Sequence, residues 1–138
     1  MTNAPEIISI MTPLPHTIEA SHSIHEAKAI MDMERIRHLP VTSDGRLVGM
    51  LSERDLKLAF AISATSDSTA TIHVGDVCNL EAYIADFSTP INDVLSIMIE
   101  RKLGSALVTR GEKLVGIVTN TDIYRNYNEL LKIKYPDA

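Results

Sequence analysis

Asp55 and Asp122 stand 67 residues apart, and at that one spacing the chain matches itself without a gap. Identical pairs run along the whole repeat: Ser21/Ser88, Ile24/Ile91, Ile30/Ile97, Met31/Met98, Val41/Val108, Thr42/Thr109, Leu47/Leu114, Val48/Val115 and Gly49/Gly116. Conservative pairs, among them Arg35/Lys102, Ser52/Thr119 and Leu56/Ile123, fill the intervals. A unit of roughly 55 residues has been duplicated, and two units are too few for a solenoid. They predict a pseudo-symmetric α+β pair packed face to face, each copy covering the other's apolar surface.

Within a copy the hydrophobic period changes in a fixed order. HTIEA (16–20) is extended, and the next stretch places Ile24, Ala27, Ile30 and Met31 on one helical face. Ser23 with Glu26 predicts a capping box for this helix. The second copy starts its helix with Thr89 as cap and Pro90 in the first turn, and places Ile91, Val94, Leu95 and Met98 on the matching face. HLPVTSDGRLVGML then predicts two strands around an Asp44-Gly45 turn, and ALVTRGEKLVGIV does the same around Gly111. Final helices follow from about Glu53 to Ile62 and from about Asn120 to Ile133. The unit is β-α-β-β-α, twice. The expected division is residues 1–62 for the first repeat with its lead-in, 63–74 for a linker and 75–138 for the second repeat with its C-terminal helix. The Ser/Thr/Ala-rich join, 61–76, reads as surface linker.

Each copy ends its second long strand with the same punctuation, GMLSERDL and GIVTNTDI. Ser52-x-x-Asp55 and Thr119-x-x-Asp122 have the outline of a capping box, which alone stabilises by roughly 1 kcal/mol. Three features point past a cap. Asp stands where Glu or Gln is usual, and its short carboxylate is more easily left outward as an acceptor. The helix start lies at the C-terminal edge of a strand, where free N–H groups and the dipole favour an anion. A carboxylate one turn further on suits ribose hydroxyls.

These segments, with ISIMTP and VGDV, resemble a tandem of cystathionine-β-synthase-type (CBS) domains, a Bateman module, over nearly the whole chain. The resemblance implies binding of AMP, ADP, ATP or S-adenosylmethionine in the cleft between the copies. By it, Asp55 and Asp122 hold ribose hydroxyls and Ser52 and Thr119 contact phosphate. Thr17-Ile18 and Ile84-Ala85 border adenine. It also implies a homodimer that regulates a protein partner without catalysis and needs no cofactor beyond the adenine-nucleotide ligand. The alternatives are a dimerisation module whose sites have lapsed, and a pocket for S-adenosylmethionine.

The copies differ in charge. Arg37, His38 and Arg54 of the first correspond to Gly104, Ser105 and Thr121 of the second, so phosphates should favour the first set. Met11-Thr12 becomes Cys78-Asn79, and the second lead-in, NLEAY, brings Tyr83 to the place of an adenine wall, to stack on a base or to block it. His22 and His25 lack further ligands at metal spacing and read as a solvated helix end. The six methionines read as core filler. The tail NELLKIKYPDA is amphipathic, as a cap on its own repeat or as part of a dimer interface.

Composition narrows the class. A net charge of −5 argues against a broad nucleic-acid footprint. No apolar run approaches the ~20 residues of a membrane span, and the N-terminal stretch lacks a signal-peptide pattern. The single cysteine, Cys78, reads as a small buried apolar residue and suits a reducing compartment; the expectation is a cytoplasmic protein. No nucleophile-base or metal spacing supports an enzyme.

Overall fold

The computed structural model describes residues 4–13, 15–65 and 71–137. Both copies form the predicted unit. In the first, β2 (Ile18–Glu19) runs parallel to β3 (His38–Ser43), which pairs antiparallel with β4 (Arg46–Ser52). Helix α1 (Ile24–Glu34) crosses from β2 to β3, and α2 (Glu53–Thr65) follows β4. In the second, β5 (Ile84–Asp86), α4 (Ile91–Arg101), β6 (Ser105–Arg110), β7 (Lys113–Thr119) and α5 (Asn120–Lys134) repeat the order and pairing. A short strand β1 (Thr12–Pro13) and a short helix α3 (Val74–Val77) precede the respective copies, β1 before the first and α3 before the second.

The chain divides into two compact units that differ from the division expected from sequence. One is His16–Ala82; the other joins Met1–Pro15 to Tyr83–Ala138. Each lead-in therefore packs on the sheet of the opposite copy. β1 adds antiparallel to β7, with Thr12 opposite Ile117. Asn79, the counterpart of Thr12, bridges Met50, the counterpart of Ile117. The physical reason is backbone satisfaction and apolar burial at an open sheet edge. Ile7 is fully buried in the core of the second copy, and Val74 in that of the first.

Part of the stretch 61–76, read from sequence as a surface linker, is anchored to the first core. Residues 66–70 of that stretch lie outside the described residues; α2 runs on to Thr65. Ile72 packs against the first core, its carbonyl accepts from the Ile24 amide at 3.1 Å, and the Val74 and Gly75 amides donate to His22 and Ala20 carbonyls at 2.8 and 2.9 Å. Polar composition made the segment read as loop, whereas Ile72 and Val74 fix its end to the first core.

The repeated glycine has the same origin. A Cβ on Gly49 would stand 2.5 Å from the Asn79 carbonyl oxygen, and one on Gly116 would collide with the Met11 sulfur and the Thr12 carbonyl. Gly49 and Gly116 sit beside matching irregularities in the strand register, after Val41 and Val108. The bare backbone at these places lets the lead-in approach.

Local signals resolve as follows. Asp44 and Gly45 both have positive φ (52° and 79°), the type I′ hairpin, and Gly111 (φ 63°) opens the second turn. The Ser23 hydroxyl caps α1 by accepting from the Glu26 amide at 3.2 Å, while the Glu26 carboxylate turns to His22 at 2.9 Å. The expected Thr89 cap is not made. Pro90 is the N-cap of α4, and the Ile91 amide donates to the Pro5 carbonyl of the lead-in at 2.8 Å, a non-local acceptor replacing the local one. The helices α1 and α4 both stop at left-handed residues, Arg35 (φ 54°) and Lys102 (φ 55°), and the following amides reach back to Met31 and Met98 carbonyls, as in a Schellman ending.

The anticipated helical faces are the buried ones, through Ile24, Ala27 and Met31, and through Val94 and Met98. Cys78 is half-buried against the first core. The α5 tail does not cap its own repeat: Leu130 and Ile133 are exposed, with Tyr124, Tyr127 and Tyr135. Among the described residues no helix is long and apolar enough to cross a membrane.

Candidate functional site

At the first helix start, sequence and tertiary pairing converge. His38 opens β3 directly opposite Ser52, the last residue of β4. The Glu53 amide donates to the Arg37 carbonyl at 2.8 Å, which ties the Arg37-His38 segment to the first residue of α2. Ser52 and Asp55 make the reciprocal box: the Asp55 amide donates to Ser52 Oγ and the Ser52 amide to Asp55 Oδ2, both at 3.1 Å. Glu53 and Asp55 thus spend their amides inside the protein, contrary to the expectation of a row of free N–H groups. An anion placed here would meet mainly side-chain cations.

Those cations are present. A surface concavity of about 300 Å³ is lined by Arg37, His38, Ser52, Glu53, Arg54 and Lys57. Three permanent cations face one carboxylate, and that carboxylate is occupied, with Lys57 at 2.8 Å and Arg37 at 3.9 Å. The Lys57 hydrogen bond and charge hold Glu53 below the usual carboxylate range. Arg54 has no ion-pair partner among the described residues. Burial lowers the pKa of His38, opposed by the nearby Asp55 charge and reinforced by Arg37. Asp55 is half-buried, and its Oδ1 has no donor among the described residues.

At the second helix start the same residue types are spent differently. Asp122 is 4 % exposed. Its Oδ2 accepts from the Thr119 amide at 2.9 Å and the Thr119 hydroxyl at 3.2 Å. Its Oδ1 accepts from Thr12 Oγ1 at 2.9 Å and Arg125 Nη1 at 3.2 Å. Asp122 therefore does not present an outward carboxylate. The neighbouring hollow, about 550 Å³, is largely apolar, lined by Leu95, Met98, Ile99, Leu103 and Ile123 with Lys102, Gly104 and Asn120.

The segments expected to border adenine alternate as strands must. Ile18 and Ala85 place their side chains in the two cores and offer only backbone, whereas Thr17 and Ile84 are exposed. Thr17 lines a separate hollow of about 170 Å³ with His16, Ala29, Ile30, Met33 and Glu34, away from the cationic concavity. Tyr83 is half-buried against the second core, and the Arg101 guanidinium lies 5.7 Å from its ring centroid. His22 pairs with Glu26, and the His25 ring meets Phe60 edge-on at 5.0 Å.

Glu53, Lys57, Thr12 and Arg125 were not singled out from sequence. The i,i+4 pair Glu53/Lys57 and the i,i+3 pair Asp122/Arg125 were visible signals. The Thr12 contact depends on the lead-in docking on the second copy and has no local signature.

The comparisons with known proteins agree with this architecture. The CBS domain family model matches residues 7–62 and 74–129. Hypoxic response protein 1 of Mycobacterium tuberculosis is 32% identical over 101 residues, 72% of this chain and 69% of its own. A putative acetoin utilization protein (AcuB) from Vibrio cholerae superposes with a TM-score of 0.87 at 25% identity, covering 96% of this chain and 98% of that one. The CBS domain pair of protein MJ0100, solved with 5′-methylthioadenosine and S-adenosyl-L-methionine, gives 0.81 at 25% identity over 92% and 98% of the two chains. CBSX2 in complex with AMP gives 0.74 at 27% identity over 91% and 97%. Two matched repeats, each with its own sheet and core, make this chain a member of the CBS domain family, a tandem CBS pair, which is a regulatory module.

Proposed function

We propose that this CBS pair senses an adenine nucleotide and signals its occupancy to a protein partner, with the first motif as the principal receptor. The observation that carries the reading is the cationic concavity at the start of α2, beside a carboxylate one of whose oxygens has no donor among the described residues. Arg37, Arg54 and Lys57 suit phosphate, Ser52 and His38 supply neutral polar contacts, and Asp55 Oδ1 suits a ribose hydroxyl. Thr17 and Ile84, the exposed members of the adenine segments, are the side chains available to flank a base, and Ile18 and Ala85 contribute backbone. The Asp122-Thr119 pair is the second ribose and phosphate position. The solved AMP complex of a similar CBS pair supports the ligand class.

Binding shifts the conformational balance only by its differential affinity for two states, so the module acts through a partner rather than by chemistry of its own. The exposed apolar side chains of α4 and α5, among them Ile99, Tyr124, Tyr127 and Ile133, suit a homodimer.

A second reading, S-adenosylmethionine as ligand, is favoured by the MJ0100 complex. It is opposed by the three cations, which repel a sulfonium. Calorimetric titration with AMP, ADP, ATP and S-adenosylmethionine tests both. The expectation is saturable nucleotide binding that weakens about tenfold or more in Arg54→Ala. S-adenosylmethionine binding indifferent to Arg54 would replace the nucleotide reading. Ligand-insensitive dimerisation with no heat from any of the four would leave a dimerisation module.

A further inference from the structure

The two motif carboxylates differ in what already holds them. Asp122 receives all four of its hydrogen bonds from within its own unit, and both oxygens are engaged. Asp55 receives one among the described residues, from the Ser52 amide. The difference traces to two positions. Where the second motif has Arg125, the first has Leu58, which carries no donor; where it has Thr12, the first has Asn79, whose amide oxygen accepts from the Glu81 backbone instead.

We infer that Thr12 and Arg125 form an internal latch on Asp122, which occupies the second motif's ribose acceptor and makes ligand binding there conditional on breaking that contact. The inference rests on the adenosine-ligand reading and adds the regulation of its second site. A ribose hydroxyl is a neutral donor. To reach Asp122 Oδ1 it must displace a guanidinium, a stronger charge-assisted donor, at a carboxylate almost removed from water. The exchange is unfavourable while Arg125 is in place, so the first motif fills alone.

The latch also reaches the lead-in. Thr12 lies on β1, which is paired to β7, the strand that ends at Thr119. A ligand that does take Asp122 releases the Thr12 hydroxyl and loosens a strand that belongs to the first 15 residues of the chain. Filling of the second motif is thereby coupled to the lead-in, and filling of the first is not.

The test is calorimetric stoichiometry with AMP on the intact protein, Asp55→Ala, Arg125→Leu, Arg125→Lys and Asp55→Ala/Arg125→Leu. Arg125 is mostly exposed, so its replacement leaves the fold intact, as a thermal melt would verify. The wild type is expected to bind one equivalent, lost in Asp55→Ala. Arg125→Leu is expected to bind a second equivalent at least about fivefold more tightly than any residual second event in the wild type. That equivalent survives in the double variant, and Arg125→Lys, which keeps the charge, retains the wild-type count. Two equal equivalents in the wild type, or a single equivalent in Arg125→Leu, overturns the latch and leaves the nucleotide reading standing. No heat in any of the five proteins fails the nucleotide reading, and the latch with it.

Discussion

The helix starts at Ser52–Asp55 and Thr119–Asp122 share a sequence pattern, a strand register and a backbone path, yet their surroundings differ. The first faces a small cationic hollow and keeps one carboxylate oxygen without a donor among the described residues; the second borders a larger apolar hollow and turns its carboxylate inward. What the copies share is scaffold: the glycine that admits the lead-in, the turn, and the cap that starts the helix. What they do not share is carried by a few substitutions at matching positions. Arg37 against Gly104, Arg54 against Thr121 and Lys57 against Tyr124 set the charge. Leu58 against Arg125 and Asn79 against Thr12 set the state of the carboxylate. Duplication supplies two equivalent frames, and point differences divide the work between them.

The largest expected consequence is in stability. Asp122→Ala removes a buried carboxylate that accepts from the Thr119 amide, the part-buried Thr119 and Thr12 hydroxyls and Arg125, a cost of about 2 kcal/mol. Asp55→Ala loses only its box, about 1 kcal/mol. Urea unfolding of the two variants measures the gap. Equal losses would break the comparison, because they would mean that the two carboxylates do the same structural work.

A smaller effect sharpens the electrostatic side. Burial keeps the pKa of His38 below its ordinary 6.5 in the folded chain. As pH falls, the unfolded chain takes up that proton first, so the His38 contribution to stability is intact above about 6.5 and is lost as pH drops from there to the folded value. His38→Gln should flatten the stability profile in that window, measured by denaturant melts across pH. Ser105, at the matching place in the second copy, has no such titration. A nucleotide phosphate near His38 raises its pKa, so AMP affinity should rise modestly through the same window and lose that rise in His38→Gln.

The repeat, the hairpins and the helices were legible in sequence because they rest on local rules: a period of two or 3.6, an Asp-Gly turn, an apolar face. The lead-in exchange was not. Alignment of the copies shows that Ile7 and Val74 correspond, but apolar character alone does not say on which core each comes to rest. The Thr89 cap failed for the same reason, since the Pro5 carbonyl that replaces it arrives from the other end of the chain. At the site, Arg37, His38, Ser52 and Arg54 were named from sequence and line one concavity. The inward turn of Asp122 was only partly legible, because one of its donors, Thr12, comes from a strand whose docking is non-local. Ile18 and Ala85 show the limit of a two-residue motif: alternation along a strand sends one of each pair into the core.

The most direct measurement is a crystal structure of the protein with AMP. The account predicts ribose hydroxyls on Asp55, phosphate against Arg37 and Arg54, and Asp122 still holding Thr12 and Arg125. Ribose on Asp122 with Arg125 displaced, and the Asp55 motif empty, would contradict it.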